Sequence, residues 1–357
     1  MFYVIFVVLV LYSLLLFSFA ICITKLPQKF LTVSNFASFS IIIPYHNEES
    51  RITRLLKSLS HLNYNRNLYE IIFVNDHSTD ATTQKILESK LQNCICINSI
   101  GFGKKNAMFE GLKLSKNKYV IFVDADTTVK KDFLQGWNLF IQNNSDKKFF
   151  FGNVFLNKNN AFTFFQQLEF AALQATGIAS AQLKKAVVGS ATNMCVEKDF
   201  LKTIFSKIKF DIPSGDDMFL LFEAKKKDSN VIAWNYLYSA SVHTTGEKSF
   251  IKFLKQRIRW LGKSKFYNDI ATIFTGLLVF LANASIIFPF FLEKFPDVFL
   301  FLFFIKVLSE FSLLFVYKIF VYKSLKINFL SFLPFALVYP FYVVIFFPLS
   351  VLFFRKQ

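Results

Sequence analysis

Residues 120–126 have the sequence VIFVDAD, in which an apolar run ends at two carboxylates, Asp124 and Asp126. An unbroken run of β-branched and aromatic residues is typical of a strand buried on both faces of a parallel sheet. Acidic groups at the carboxyl end of such a strand lie where open α/β sheets bind ligands. Because unpaired carboxylates are costly to bury, the pair favours a divalent cation held against phosphate oxygens. An ordinary acidic turn is the alternative that this stretch alone leaves open.

Alternating strand and helix patterns surround this stretch. The predicted strands are 39–43, 69–74, 94–97 and 119–123, and the predicted helices between them are 48–62, 79–91 and 104–115. This alternation predicts an α/β fold with a mostly parallel sheet and right-handed crossovers. Further along, the patterns predict strands at 149–155 and 231–236, and helices at 162–184, 216–227 and 248–260.

Apolar residues are concentrated at the two ends of the chain. They make up 54% of its 357 residues, above the ~45–50% usual for soluble domains. Residues 1–24 carry no charged side chain and no cleavage signal, which predicts a retained transmembrane anchor. About three more membrane helices are expected within 268–354. The last of them is expected to be kinked or broken by Pro334, Pro340 and Pro348.

The net charge of +17 comes mainly from lysine, with six arginines in the chain. Sparse arginine and the lack of an RNA-binding motif argue against a nucleic-acid partner, so we expect anionic lipids and a polyphosphate ligand. The four cysteines show no zinc-ligand spacing, which favours reduced thiols. Lys25 and Lys29 follow the anchor, so the positive-inside rule places the soluble domain in the cytoplasm. The turn near Glu293 is then outside. The localisation expected is a multi-pass protein of a bacterial inner membrane.

Two strand ends carry polar groups suited to a nucleotide. The segment PYHNEE at 44–49 follows the first strand, and NDHSTD at 75–80 follows the second. Side chains and backbone N–H groups there can hold a base or ribose, and Asp76 can accept from a base N–H. Helix capping is the alternative in both places, since carboxylates and hydroxyls are favoured at helix N-termini.

Three further segments carry charge that suits a diphosphate and an acceptor. The segment GFGKK at 101–105 joins flexible glycines to Lys104, a point charge for phosphate, although it lacks P-loop spacing. The segment SGDD at 214–217 opens a helix, with Asp217 as a candidate general base and helix capping as the alternative. The segment QRIRW at 256–260 puts Gln256, Arg259 and Trp260 on one helical face, where an interfacial anchor is the alternative.

The five segments, in this order, resemble the family 2 glycosyltransferases, the inverting group that includes cellulose, chitin and hyaluronan synthases. The resemblance covers about residues 38–262 and implies a GT-A fold, with an amphipathic interfacial helix at about 248–262. It implies Asp217 as the catalytic base, and Asp126 with Asp124 as metal-site residues for Mg²⁺ or Mn²⁺. The implied nucleotide-sugar-binding positions are Pro44, Tyr45, Asn47, Glu48, Asp76, Lys104, Asp124, Asp126, Gln256, Arg259 and Trp260.

The sequence departs from the family at three places. Asn75 stands where aspartate is frequent, His77 where glycine is common, and residues 189–193 (GSATN) only loosely resemble the glycine-rich acceptor loop. The turn at His77 is therefore expected to differ from that of relatives.

The function expected is transfer of a sugar from a nucleotide-diphosphate sugar, a UDP-sugar above all, to a lipid or membrane-associated glycan acceptor. A processive polysaccharide synthase is the alternative within the family. A nucleotide-sugar-binding or transport membrane protein without catalysis is the alternative of another class.

Overall fold

The computed structural model describes residues 2–32, 35–210, 212, 215–287 and 297–353. These residues form two compact units. The sheet unit comprises Pro27–Asn157 and Gly189–Thr245, and the helical unit comprises Met1–Leu26, Lys158–Val188 and Gly246–Arg355, each as far as it is described. The helical unit thus includes the segments 158–188 and 246–262, which the sequence-based boundary at 38–262 had grouped with the sheet. That boundary stays a prediction.

The sheet unit is built on a seven-stranded sheet with the order β3-β2-β1-β4-β8-β6-β9. Its strands are β1 (Phe39–Tyr45), β2 (Tyr69–Asn75), β3 (Cys94–Asn98), β4 (Tyr119–Val123), β6 (Phe149–Gly152), β8 (Asn193–Glu197) and β9 (Ile232–Asn235). β1 to β4 pair in parallel, whereas β8 runs antiparallel to both β4 and β6. The predicted mixed, mostly parallel sheet is therefore confirmed.

A smaller three-stranded sheet accompanies the first, with the order β5-β10-β7. Its strands are β5 (Thr128–Val129), β7 (Val154–Asn157) and β10 (Val242–Thr245). The single strand predicted at 149–155 is thus two strands of different sheets, divided at Asn153. The reason is that Asn153 bonds to both sides: its side-chain oxygen accepts from Trp234 Nε1 at 3.0 Å, and its carbonyl accepts from Val242 N at 3.0 Å.

Six helices cover the sheet unit: α2 (Ile52–Ser60), α3 (Thr82–Glu88), α4 (Lys104–Leu114), α5 (Phe133–Gln142), α7 (Lys198–Phe205) and α8 (Asp216–Lys227). Their apolar stripes pack on the sheet, as in α2, where Ile52, Leu55, Leu56 and Leu59 are buried. Burial of each such side chain is worth about 1.5–3 kcal/mol. The core is aromatic, with Phe149, Phe150 and Phe151 completely buried. Both α5 and α7 were missed in the sequence.

The helical unit consists of α1 (Phe2–Thr24), α6 (Ala161–Gln182), α9 (Phe250–Gly262), α10 (Ile270–Ile287), α11 (Asp297–Phe320) and α12 (Phe329–Phe353). Four of these, α1, α10, α11 and α12, are long and apolar enough to cross a membrane. α12 is continuous through its three prolines. Of the two outcomes expected there, a kink or a break, the break does not occur. Prolines are tolerated in membrane helices where neighbouring groups satisfy the freed carbonyls. The predicted outer turn near Glu293, together with Arg355 and Lys356, lies outside the described residues.

Two buried ion pairs lie in this unit, one within a single helix and one between two helices. On α11, Lys306 Nζ lies 2.6 Å from Glu310 Oε1, which also accepts from Tyr12 of α1 at 2.9 Å. On α9, Arg257 binds both carboxylate oxygens of Glu169 on α6, and Tyr342 of α12 donates to Glu169 at 2.7 Å. Because buried charges are tolerated only when paired and hydrogen-bonded, these contacts fix which helices lie side by side.

Candidate active site

The site begins at the edge of the sheet where β1, β2 and β4 end. These three strands are parallel neighbours, so the residues that follow them meet at one edge. Those residues are 46–49 after β1, 76–80 after β2 and 124–126 after β4. The predicted strand ends are therefore brought together, as the sequence pattern required.

Hydrogen bonds hold the first two turns to each other. Asn47 Oδ1 accepts from Thr79 N at 2.8 Å, and Glu48 N donates to Thr82 Oγ1 at 2.8 Å. Asp76 Oδ1 accepts from Gly103 N at 2.8 Å, which ties the glycine segment to the end of β2. The turns thus form a preorganised rim in which Asn47 shapes the backbone.

The remaining predicted residues of these turns are placed as follows. Pro44 and Tyr45 are buried, and the Tyr45 hydroxyl meets Thr83 Oγ1 at 3.0 Å. Burial, together with the hydrogen bond to Cys96, raises the pKa of Tyr45. A nucleotide-binding role for these positions stays a prediction.

His77, which stands where the family commonly has glycine, adopts φ +56°, in the left-handed region that glycine favours. Its ring stacks on Phe102 with centroids 4.1 Å apart. The turn therefore keeps a backbone conformation typical of glycine although it carries a side chain.

Each carboxylate of the Asp124/Asp126 pair has its own cationic partner. Lys104 Nζ lies 2.5 Å from Asp124 Oδ1, and Arg51 Nη1 lies 3.2 Å from Asp126 Oδ2. Hydroxyls add to this: Thr192 donates to Asp124 Oδ2 at 2.7 Å. The local charge of the acidic pair is thus largely compensated within the protein.

Lys104 also joins the two acidic pairs. Its Nζ lies 3.5 Å from Asp216 Oδ2, and the Asp217 carboxylate acts on it electrostatically. Two glycines with left-handed backbones make this approach possible. Gly103 at φ +90° precedes the helix that carries Lys104, and Gly215 at φ +88° precedes the one that carries Asp216 and Asp217. Pro213 and Ser214 lie outside the described residues.

Burial and neighbouring charge shift three pKa values. Burial raises the pKa of Glu48 to about 7, against the effect of Arg51 and with a further rise from Asp126. Burial and the adjacent Asp124 also raise the pKa of Asp126. For Lys104, burial opposes the charge, but Asp124 and Asp216 outweigh it and raise the pKa. Such perturbed groups in one place are typical of functional sites.

The acidic pair fits a divalent cation that brings ligands of its own. Carboxylate oxygens suit Mg²⁺ and Mn²⁺, and a positive ion would relieve the repulsion that raises the pKa of Asp126. Among the described residues, no group of three or more His, Cys, Asp or Glu side chains could hold a metal alone. Asp126 and Asp124 alone would hold such an ion weakly, and oxygens of a bound diphosphate would complete its ligand set.

Arg51 and Thr244 were missed in the sequence, and the contacts of Thr192 and Asp216 were not predicted although both residues lie in segments singled out there. Thr244 approaches Asp126 Oδ2 at 3.5 Å from β10. Thr192 and Thr244 carried no local signal because their partners are 68 and 118 residues away. Arg51 carried a weak sequence signal: it lies three residues after Glu48, and side chains at that spacing are neighbours on a helix.

Gln256, Arg259 and Trp260 lie on α9 of the helical unit. Arg259 is exposed and Gln256 and Trp260 are half-buried, whereas Arg257 between them is buried. The Arg257 guanidinium lies 4.5 Å from the centroids of both Phe253 and Trp260. Although burial opposes its charge, Glu169 raises the pKa of Arg257. The basic residue held in this helix is thus Arg257. The nucleotide-sugar role of the other three stays a prediction.

Part of the chain is similar to known proteins. Residues 40–205 match the model of the family described as "Glycosyl transferase family 2". A segment of 110 residues is 34% identical to the poly(ribitol-phosphate) β-N-acetylglucosaminyltransferase TarS of Staphylococcus aureus (strain Mu50), over 29% of this chain and 18% of that protein. A segment of 104 residues is 31% identical to the poly-β-1,6-N-acetyl-D-glucosamine synthase of S. aureus (strain COL), over 29% and 25%. The chain thus spans at most a quarter of the length of these relatives.

The fold itself has a solved counterpart. The structure of the mannosyltransferase PcManGT from Pyrobaculum calidifontis, in complex with GDP-Man and Mn²⁺, superposes with a TM-score of 0.62 at 15% identity. The likeness covers 98% of this chain and 96% of that one. The expected GT-A fold is therefore confirmed.

Proposed function

Residues 40–205 match the model of glycosyl transferase family 2, and from this match we propose that the protein is an inverting glycosyltransferase that uses a nucleotide-diphosphate sugar. One observation supports the proposal most directly: Lys104 lies between Asp124 and Asp216, within electrostatic reach of Asp217. The two acidic pairs therefore share one site although about 90 residues separate them in the sequence.

The donor would lie along the rim formed by the ends of β1, β2 and β4. Asp76 and the turn at 46–49 would face the base and ribose, and the ammonium of Lys104 would meet the diphosphate. A Mg²⁺ or Mn²⁺ ion at Asp126 and Asp124, when bound, would neutralise charge on the leaving diphosphate. The mannosyltransferase structure with GDP-Man and Mn²⁺ supports both ligands.

Asp217 would be the general base. It lies in the first turn of α8, half-buried, where Met218 N donates to its Oδ1 at 2.7 Å. Its carboxylate would take the proton of an acceptor hydroxyl, whose oxygen attacks the anomeric carbon from the face opposite the diphosphate. A single displacement of this kind inverts the configuration at that carbon.

The acceptor proposed is a lipid or membrane-associated glycan hydroxyl. Four apolar helices long enough to span a membrane support a membrane-borne acceptor. We also propose a multi-pass bacterial inner-membrane protein with the sheet unit in the cytoplasm, because Lys25 and Lys29 follow α1. The two relatives named for N-acetylglucosamine transfer favour a UDP-sugar donor.

A processive polysaccharide synthase is the second candidate. The Gln256, Arg259 and Trp260 spacing in α9 favours it, as does the relative named as a poly-β-1,6-N-acetyl-D-glucosamine synthase. The four candidate membrane helices among the described residues favour single addition, because a channel for a growing glycan needs a larger helical enclosure. The length of the product distinguishes the two reactions.

The deciding experiment is a UDP-release screen of the purified full chain in detergent. UDP-glucose, UDP-GlcNAc, UDP-galactose and, through GDP release, GDP-mannose are each incubated with a membrane lipid extract, with Mn²⁺ or with EDTA. We expect release with one donor, dependent on Mn²⁺ and on the extract. Tight binding of a nucleotide sugar without release under any condition would instead identify a non-catalytic binding or transport protein.

A further inference from the structure

Arg51 occupies the position from which it can oppose a divalent cation at Asp126. Its three guanidinium nitrogens are all engaged: Nε lies 2.6 Å from Glu48 Oε2, Nη2 lies 2.8 Å from Glu48 Oε1, and Nη1 lies 3.2 Å from Asp126 Oδ2. Nη2 donates a hydrogen bond to Glu48 and Nη1 donates one to Asp126, whereas the short contact of Nε is an ion pair without hydrogen-bond geometry. Glu48 therefore aims Arg51 at the carboxylate expected to meet the metal.

This arrangement is separate from the role of Lys104. Lys104 binds Asp124 and Asp216, whereas Arg51 binds Asp126 and Glu48. The side chain of Arg51 is 40% exposed, while that of Glu48 is 17% exposed. A cation or a diphosphate arriving from solvent can therefore reach Arg51 directly.

We propose that Arg51 is a positioning residue that keeps free divalent cations off Asp126 until the donor diphosphate is present. A cation bound at Asp126 meets the positive guanidinium at short range, and like charges at such distances repel strongly where water is partly excluded. The diphosphate brings negative oxygens that reverse this balance, so metal and donor bind together rather than in either order. The proposal rests on the proposed function only in taking the ion to be the one that accompanies the donor.

The test measures Mn²⁺ binding, not turnover. Free Mn²⁺ is followed by electron paramagnetic resonance during titration of the full chain in detergent, without nucleotide. We expect Arg51→Gln to lower the Mn²⁺ Kd about tenfold, equivalent to about 1.4 kcal/mol, because an ion at Asp126 then no longer faces the positive guanidinium. Unchanged affinity in Arg51→Gln would overturn the proposal.

Two further variants separate local charge from net charge and from damage to the fold. Arg66→Gln removes the same charge at an exposed residue that binds Gln92, so its Mn²⁺ affinity should equal that of the natural protein. Arg51→Lys keeps the charge near Asp126 and should bind Mn²⁺ more weakly than Arg51→Gln. Equal affinity of these two Arg51 variants would contradict the proposal.

A second titration tests the link to the donor. Adding UDP should tighten Mn²⁺ binding more in the natural protein than in Arg51→Gln, because the variant has lost the repulsion that the diphosphate offsets. The same tightening in both proteins would count against Arg51. These titrations remain interpretable if the release screen finds no sugar transfer, so failure of this inference and failure of the proposed function are distinguishable.

Discussion

Lys104 Nζ lies 3.5 Å from Asp216 Oδ2 while it holds Asp124 at 2.5 Å. Through Lys104, the first turn of α8, which carries Asp216 and Asp217, is linked to Asp124 at the end of β4. The two acidic pairs therefore lie close enough to belong to the one site proposed above. The predictions below follow from this relationship and from the buried groups around it.

The first prediction concerns the proposed base. Asp217→Asn keeps the size of the side chain but cannot accept the proton, so kcat should fall about 10²–10⁴-fold with little change in donor affinity. Nucleotide release gives the rate and calorimetry gives the affinity. Glu223→Gln on the same helix, at a residue paired with Lys226, is the control and should keep full activity. A rate within twofold of the natural protein for Asp217→Asn would assign the base elsewhere.

The second prediction concerns the ammonium shared by the two acidic pairs. Lys104→Met leaves Asp124 and Asp216 without their common cation. It also removes the charge-assisted bond proposed between Lys104 and the donor diphosphate, and a bond of this kind is worth about 1.5–3 kcal/mol. KM for the donor should therefore rise roughly tenfold or more. Lys113→Met changes the same charge further along α4, where Lys113 pairs with Glu110, and should leave KM as it is. An unchanged KM in Lys104→Met would show that the diphosphate binds elsewhere.

The third prediction concerns stability at acid pH. Burial, with a further effect of Lys130, lowers the pKa of His243 from 6.5 to about 4. The unfolded chain therefore takes up a proton in this range before the folded protein does. The contribution of neutral His243 to the free energy of unfolding is complete above pH 6.5. It is lost as the pH falls from 6.5 towards 4, and below pH 4 it no longer changes with pH.

Replacement of this histidine should flatten that dependence. His243→Phe keeps a ring against Phe155 and Tyr238 without a titrating group. Its Tm should fall less than that of the natural protein between pH 6.5 and 5, measured by thermal unfolding in detergent. His61→Phe at an exposed site serves as the reference. Identical Tm profiles for all three proteins would exclude His243 as the source.

The fourth prediction concerns the ion pair within α11. Glu310→Gln leaves Lys306, which is completely buried, without its counter-ion, and loss of one partner of a buried pair costs about 3–5 kcal/mol. Lys306→Met should be similarly destabilising. The double replacement by methionine should recover most of the loss, because apolar side chains can take the place of a buried pair. Additive losses in the double variant, judged by Tm in detergent, would show that the two side chains act independently.

The sequence predicted the parts of the site that lie next to recognisable strand ends or helix starts. The helix predicted at 216–227 has those bounds in the structure, and the one predicted at 104–115 begins at Lys104 as expected. Local composition determines these features: an apolar run, a glycine, then charged residues at the first turn. Asp124, Asp126 and Lys104 were found for this reason.

The parts that were missed depend on partners distant in the chain. β8 has only five residues, too few for periodicity alone to identify a strand, and it was not predicted. Thr192 and Arg51 are ordinary surface residue types in the sequence. Their proximity to Asp124 and Asp126 exists only once β8 and α2 have packed on the sheet, and no local pattern encodes that packing.

The reversed direction of β8 has a consequence for residues 189–192. In a parallel strand, the segment that leaves the strand would reach the reactive edge. Because β8 is antiparallel, the residues that precede it reach this edge instead. Asn193 is in register with Val123, and Thr192, one residue earlier in the chain, donates to Asp124. A substitution at Thr192 therefore acts directly on the Asp124 carboxylate, whereas any side chain at Gly189 would collide with the ring of Phe151.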